Sequence, residues 1–193
     1  MIEKAFVFIQ NFLNKEIKMQ FGIDDNRVTA ESLVNPDGTN SDSVMNKVVI
    51  SLVNIEHETT ANSSPYVAGN SNEYGKVPIP VFLNLYLLVA ANYESGNYPE
   101  ALKMLSAVIG VFQSNTYFTR TKNPEMPAPL EKLTFEIYNL PINELSHIWG
   151  GLGAKYVPSI IYKVRMITVQ ENKLSGEVAG VGGLNRDVGA NNN

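Results

Sequence analysis

The sequence predicts an α/β (α+β) domain built on a mixed, largely antiparallel sheet of about four strands. Four segments are strand-like, because they are rich in β-branched residues or alternate apolar with polar side chains. Two longer segments repeat apolar residues at helical steps, which adds an N-terminal helix and a long central helix, and a short third helix begins at a proline. The 193 residues are 44% hydrophobic and 18% charged, which suffices for one substantial core.

The first predicted element is an amphipathic helix over residues 2–20. One face carries apolar residues at steps of three to four: Ile2, Phe6, Ile9, Leu13 and Ile17. Phe8, Phe12 and Phe21 widen this face beyond the stripe that a lone surface helix requires. Two interpretations follow. The helix covers one side of the sheet, or it does so and also contributes to a subunit contact.

The central part of the chain predicts two strands and a helix. Residues 47–56 are β-branched on both faces at their start, which indicates a covered strand. Residues 79–92 are the most apolar segment and could form a buried helix or a strand. Every second residue, in one of the two alternating sets, is apolar, which favours a strand with one buried face. The following helix begins at Asn97, with a capping box to Glu100. Its predicted core stripe is Tyr98, Leu102, Leu105, Ile109 and Phe112, backed by Ala101 and Val108.

Residues 133–169 have the most distinctive sequence. We expect a strand over 133–138, then a short helix from Leu140-Pro141 with Ile142, Leu145 and Trp149 on its apolar face. The glycines at 150, 151 and 153 are expected to end this helix, and the last strand covers 159–169. The residues that we predict to be structural or to form an interface are Trp149, Gly150, Gly153, Tyr156, Pro158 and Tyr162.

The remaining segments are connections. Residues 22–46 and 59–78 are polar and rich in turn formers, and residues 116–129 carry three prolines and indicate an extended connection. We predict a single domain over residues 1–173, followed by a Gly/Asn-rich arm at 174–193. The arm is either disordered or docks on another subunit through Val178, Val181, Leu184 and Val188.

Composition narrows the functional classes. The chain has no cysteine, which excludes disulfides, thiolate metal sites and thiol nucleophiles, and which suits the cytoplasm. A net charge of −4 without a basic cluster speaks against nucleic acid as a partner. No apolar run reaches the length needed to span a bilayer, and residues 5–9 are too short for a signal peptide, so we expect neither membrane insertion nor secretion by that route.

No catalytic, cofactor-binding or metal motif is convincing. Glu144 and His147 have the three-residue spacing of some metal ligands on helices, but the motif occurs once. In the run Glu56-His57-Glu58, strand alternation separates the side chains. The acidic loop at 22–46 lacks the ligand pattern of a calcium hand, and the glycines at 150–153 and 180–183 lack the context of phosphate loops. We therefore predict no cofactor, no metal and no enzyme.

Two blocks, residues 78–118 and 133–166, resemble tail-terminator (cap) proteins of extracellular contractile injection systems, phage-tail-like particles of the antifeeding-prophage type. The resemblance rests on the apolar strand with Asn84 and Tyr86, on the helix with Ala101 and Leu105, and on the run that follows in the second block. That run contains Leu145, Ile148, Trp149, Leu152, Gly153, Tyr156–Ser159 and Tyr162.

The resemblance implies a phage tail-terminator-like fold and a structural role. A cap protein of this type forms a ring, here of six copies. It closes the inner tube and sheath distal to the baseplate and stops polymerisation, with tube and sheath proteins as partners. The particle would be assembled in the cytoplasm and then released or anchored. Two alternatives remain open: a baseplate or tube-initiating adaptor of the same kind of particle, and a small enzyme with an unrecognised site.

Overall fold

The fold is described from a computed structural model. It covers residues 1–35, 37–39, 41–58 and 80–168, with the backbone of two short strands at 67–68 and 75–76. The helices are α1 (Ile2–Phe21), α2 (Tyr98–Ser114) and α3 (Ile142–Leu152), with short 3-10 helices at Asp42–Val44 and Ser95–Asn97. The strands are β1 (Val28–Thr29), β2 (Lys47–His57), β3 (Val67–Ala68), β4 (Gly75–Lys76), β5 (Val81–Asn92), β6 (Tyr117–Thr119), β7 (Leu130–Ile137) and β8 (Ser159–Thr168).

Six of these strands form one sheet in the order β1-β2-β5-β8-β7-β6. Every neighbouring pair is antiparallel except β1 and β2, which are parallel. The mixed, largely antiparallel sheet is therefore confirmed, and its four long strands are the four that the sequence predicts. The edge strands β1 and β6 were not predicted, because two or three residues are too few to show a period of two.

The first face of the sheet lies under α1 and α2. The central strand β5 contributes Leu85, Leu87 and Val89 to this core, and all three side chains are at most 1% exposed. Aromatic rings tie the helices to the sheet: the Phe112 ring stacks on that of Phe135 with centroids 4.3 Å apart. The predicted burial of Ile9, Leu13 and Ile17 on α1 is confirmed.

The second face is only partly covered. A smaller core joins Leu88 of β5 and Ile161 of β8 to Trp149 of α3, and it also takes in Leu33 and Val44 from the connection between α1 and β2. Although this connection is mostly polar, its residues Leu33 and Val44 are buried and pack in the smaller core beside α3. The remainder of the second face is open.

One buried polar side chain joins α1 to the sheet edge. Asn14 is 5% exposed, and its amide group donates to the backbone oxygens of Gln10 and Val28 at 3.0 and 2.8 Å. Its Oδ1 accepts from the backbone N–H groups of Arg27 and Val28 at 2.9 and 3.0 Å. Because every polar atom of the amide is satisfied, its burial is not penalised, and β1 is held in register beside β2.

Two predictions about α2 need correction, the first of them only in part. The buried stripe consists of Ala101, Met104, Leu105, Ala107, Val108, Val111 and Phe112. The predicted burial of Leu105 and Phe112, backed by Ala101 and Val108, is therefore confirmed, and Ile109 is half-buried against the core. Tyr98 is 53% and Leu102 42% exposed, so the stripe is rotated away from these two residues. The capping box is also absent, because the Asn97 side chain makes no hydrogen bond that caps the helix. The side-chain Nδ2 atom of Asn97 instead lies 3.5 Å from the Oδ1 atom of Asn46.

The expectations for α3 need two corrections. Gly150 and Gly151 do not end the helix, which continues to Leu152, because glycine tolerates helical angles at a modest cost. Gly153 alone ends it, in a left-handed conformation with φ 67° that favours glycine. Ile142 does not belong to the buried face either: it is 82% exposed, because α3 contacts the sheet from its second turn onwards.

The remaining differences concern strand ends. Strand β7 begins at Leu130, three residues before its predicted start, and Ile137 near its end is 45% exposed rather than packed with Leu133 and Phe135. The expected extended connection at 116–129 contains β6 and two buried apolar side chains, those of Phe118 and Met126. Most of the loop at 59–78 and the whole predicted arm at 174–193 lie outside the described residues.

Two buried tyrosines provide a test of the core. The Tyr162 hydroxyl is buried without a hydrogen-bond partner, whereas the Tyr86 hydroxyl donates to Glu56 Oε2 at 2.8 Å. We expect Tyr162→Phe to leave the free energy of unfolding unchanged or raise it by up to about 1 kcal/mol, because an unpaired buried group is removed. Tyr86→Phe loses a charge-assisted bond and should lower it by about 1.5 kcal/mol. Urea unfolding at pH 7 measures both values.

The pH dependence supplies a control for the Tyr162 assignment. Burial raises the pKa of Tyr162 to about 12, from an ordinary value of 10.0. The folded protein therefore keeps this proton when the unfolded chain has begun to lose it, so stability falls as the pH rises above 10. Tyr162→Phe should lose less stability than the wild type between pH 10 and 12. An equal loss in both proteins would contradict the burial of this hydroxyl.

Candidate functional site

The structure brings five of the six predicted site residues into one region, at the end of α3 and the start of β8. Trp149 is 4% exposed and packs its indole edge-on against the Tyr156 ring, with centroids 5.5 Å apart. Gly150 and Gly153 are exposed on the last turn of α3. The carbonyl oxygen of Pro158 accepts from the Ala91 N–H at 2.9 Å, which fixes the entry into β8.

Tyr162 lies apart from this group. Strand alternation places it on the first face of the sheet, where its ring contacts those of Phe112 and Phe135 at centroid distances of 4.9 and 6.3 Å. With 2% of its surface exposed, Tyr162 is a core residue of this fold. Tyr162 is separated from Trp149 because side chains of β8 alternate between the two faces of the sheet, and Trp149 packs on the second face.

Large apolar side chains are exposed on and after α3. Ile142 in the first turn is 82% exposed, and Tyr156 beyond the last turn is 65% exposed. The buried Trp149 indole packs against the Tyr156 ring, while most of the Tyr156 side chain faces solvent. An ordered aromatic side chain with a free face is typical of protein–protein contact residues.

A second exposed region is the part of the sheet that α3 does not cover, which we call the open sheet face. Its side chains alternate with core residues along β5, β7 and β8, and they are Asn84, Tyr86, Lys132, Thr134, Glu136, Lys163 and Arg165. In the strand register, Arg165 lies between Asn84 and Thr134, and Lys163 lies between Tyr86 and Glu136. The face is therefore polar and carries charges of both signs.

Tyr86 on the open sheet face makes a hydrogen bond and a ring contact with neighbouring residues. Its hydroxyl donates to Glu56 Oε2 at 2.8 Å, and its ring meets that of Tyr138 edge-on with centroids 4.9 Å apart. Burial, together with the adjacent Glu56 carboxylate, raises the pKa of Tyr86 to about 12. The phenol therefore stays protonated at neutral pH and serves as a donor that holds β2 and β5 together.

One cavity of about 330 Å³ beside α3 is lined in part by Tyr86 and by three of the residues considered for chemistry, which are Glu56, Glu144 and His147. Among the described residues, no group of three or more potential ligands is arranged to hold a metal ion. Alternation sends His57 to the opposite face from Glu56, as the sequence predicts, because their register partners Leu83 and Asn84 face opposite sides. The described helices also include none that is long and apolar enough to cross a membrane.

Sequence reasoning did not identify the open sheet face as a site. The signal was present in β8, where Lys163 and Arg165 alternate with Tyr162, Val164 and Met166. Such alternation shows that one face of a strand is polar, but it does not show which neighbouring strands add to that face. The pairing of β8 with both β5 and β7 depends on tertiary structure.

Two cryo-EM structures share this fold. One is the PVC sheath/tube terminator of an extracellular contractile injection system in its extended state, with 16% identity and a TM-score of 0.55 over 93% of this chain and 63% of that chain. The other is the tube-terminating cap of the anti-feeding prophage, with 16% identity and a TM-score of 0.56 over 92% of this chain and 59% of that chain. The chain thus spans about three fifths of the length of each.

No curated protein sequence matches the chain. A family model does match, namely that of the Pvc16 N-terminal domain, over residues 7–179. The match includes both blocks that carry the resemblance to cap proteins, and it covers all of the strands and helices except the first turns of α1. The chain belongs to the Pvc16 N-terminal domain family.

Proposed function

We propose that this chain is a cap, or tail terminator, of a contractile injection particle. It would form a ring of six copies that closes the inner tube and sheath at the end distal to the baseplate and stops their polymerisation. The observation that carries the proposal is the fold, which two terminators of such particles share over more than nine tenths of this chain. Membership of the Pvc16 N-terminal domain family supports the same role.

The side chains support a structural role rather than catalysis. The conspicuous aromatic residues Trp149 and Tyr162 serve the two cores, and Tyr86 joins two strands. Glu144 and His147 are exposed and share their cavity with no third metal ligand arranged around an ion, within the part of the chain that the structure describes. We propose that the protein acts by shape and contact, without a cofactor, in a particle assembled in the cytoplasm.

Deleting the gene for this chain in the producing cell should give tubes and sheaths of uncontrolled length. The reason is that nothing would then block addition of subunits at the distal end. Electron microscopy of purified particles measures the length distribution, and a tagged chain imaged in wild-type particles should label the end opposite the baseplate. Re-expression of the wild-type chain is the control.

Two outcomes would contradict the cap proposal. Particles of normal length without this chain would show that termination does not need it. A label at the baseplate end would instead favour the adaptor alternative, in which the chain starts the tube.

We further propose that the exposed residues on and after α3 form part of the contact between neighbouring copies in the ring. Tyr156, beyond the end of α3, is 65% exposed and packs against the buried Trp149, and Ile142 in the first turn of α3 exposes a second large apolar side chain. Burying such side chains between copies would remove apolar area from water, which is the main source of association free energy.

Tyr156→Ala should weaken ring formation about tenfold or more, as expected for an aromatic hot-spot residue. The midpoint of thermal unfolding should change little, because the side chain is mostly exposed. Analytical ultracentrifugation over a range of concentrations measures the assembly. The matched control is Tyr98→Ala, which removes a tyrosine that is 53% exposed on α2 at the other face of the sheet. Equal effects of the two substitutions would contradict the assignment of the contact to α3.

The predicted arm at 174–193 supplies a further proposed contact. We propose that its apolar residues Val178, Val181, Leu184 and Val188 dock on an adjacent copy. Beyond Leu174 at the start of the arm, they are its only large apolar side chains among many glycines and asparagines, so docking would depend mainly on them.

Replacing these four residues by serine, at unchanged chain length, should reduce the fraction of rings in the same centrifugation experiment. Circular dichroism and the unfolding midpoint of the monomer should stay as in the wild type. A chain in which four asparagines of the arm are replaced by serine is the control for altered composition. Unchanged assembly of the first variant would show that the arm is passive.

A further inference from the structure

The open sheet face contains a groove at the end remote from α3. The groove encloses about 530 Å³ and runs across β5, β8 and β7. Phe82 and Ile167 give it apolar sides, and its polar groups come from Glu58, Asn84, Lys132, Thr134 and Arg165. Two cations thus stand against one carboxylate, and that carboxylate accepts a hydrogen bond from the Asn84 amide. We call it the cationic groove. None of the roles proposed above uses it.

Asn84 places an unsatisfied acceptor in this groove. The residue is 4% exposed, and its amide nitrogen donates to Glu58 Oε2 at 3.0 Å. That bond fixes the orientation of the amide, because a carboxylate only accepts. The Oδ1 atom is consequently turned away from Glu58, and it is buried with no hydrogen-bond partner. Buried acceptors without a partner are rare in native proteins, so this atom calls for a donor from a ligand.

The cations of the groove are also unmatched. Arg165 has Asn84 and Thr134 as its cross-strand neighbours, and neither carries a charge. Lys132 lies opposite Ile167 and directs its ammonium group over the ring of Tyr117, 5.7 Å from the centroid. No ion pair between described residues includes Arg165 or Lys132. Both side chains are exposed, although the chain as a whole carries a net charge of −4.

We propose that the cationic groove binds an extended acidic segment of a partner protein. A backbone N–H of this segment donates to Asn84 Oδ1, and two carboxylates pair with Arg165 and Lys132. A nucleic acid fits less well, because its phosphate backbone offers no donor for Asn84 Oδ1 and because the two cations of the groove would neutralise only a few phosphates. The proposal rests on the groove alone and does not depend on the cap function.

The spacing of the cations specifies the ligand further. Lys132 pairs with Ile167, two positions along β8 from Arg165, so the two residues are diagonal neighbours on one face, with backbones about 7 Å apart. Side chains at i and i+2 of an extended peptide lie on one side and are also about 7 Å apart. The preferred ligand is therefore an acid-x-acid segment in extended conformation, whose intervening side chains point away from the groove.

The test uses the full-length chain and a fluorescently labelled peptide of alternating glutamate and valine. We expect anisotropy titrations to show binding that weakens with salt, and no binding of the glutamine–valine counterpart. Combining Arg165→Glu with Lys132→Glu should weaken binding at least about tenfold, because two attractions become repulsions. The matched control combines Lys15→Glu with Lys155→Glu, which changes the net charge equally at exposed positions outside the groove.

A second measurement tests the role of Asn84 without altering the protein. Backbone N-methylation of the peptide removes its N–H donors and keeps its charges, and it should weaken binding about fivefold, as expected for one lost hydrogen bond. Equal binding by the two charge-reversed proteins would overturn the site. Equal binding of the methylated peptide would overturn the Asn84 contact. A single-stranded oligonucleotide that binds more tightly than the peptide, and loses affinity with Arg165→Glu, would overturn the assignment to a peptide.

Discussion

The structure depends on one constraint, which is the burial of β5 on both of its faces. Eight consecutive residues of this strand, from Asn84 to Ala91, are buried, so their backbone polar groups have no access to water and must pair within the protein. Strand β2 satisfies one side and β8 the other, each over ten register positions. The helices then cover the apolar side chains that this three-stranded centre presents.

The helices cover the two faces of the sheet unequally, and this difference determines which residues stay exposed for contacts with other proteins. Helices α1 and α2 cover most of the first face with apolar and aromatic residues. The shorter α3 covers only one end of the second face, anchored by Trp149. Beyond it, Tyr86 and Asn84 are held by the acidic end of β2. The exposed residues of α3 and the open sheet face are thus separate surfaces on one rigid frame.

The sequence predicted the candidate site only in part. It singled out Trp149, Gly153 and Tyr156, because a lone tryptophan, a helix-ending glycine and a nearby aromatic residue are conspicuous in any segment. It grouped Tyr162 with them, although the alternation of β8 sends that ring to the opposite core. The cationic groove was not predicted at all. Its residues come from three strands that are distant in sequence, and only their pairing brings Lys132, Asn84 and Arg165 onto one face.

By itself, the sequence determined the fold class, the four long strands, the three helices and the family. These features depend on local periodicity, on turn residues and on the order of two apolar blocks, all of which are written along the chain. The tertiary structure decided the strand order, the parallel edge strand that Asn14 holds, the rotation of α2 and the exposure of Ile142. Each of these features depends on which elements pack together. The hydrophobic periodicity of an element shows which of its faces is buried, but it does not show which other element covers that face.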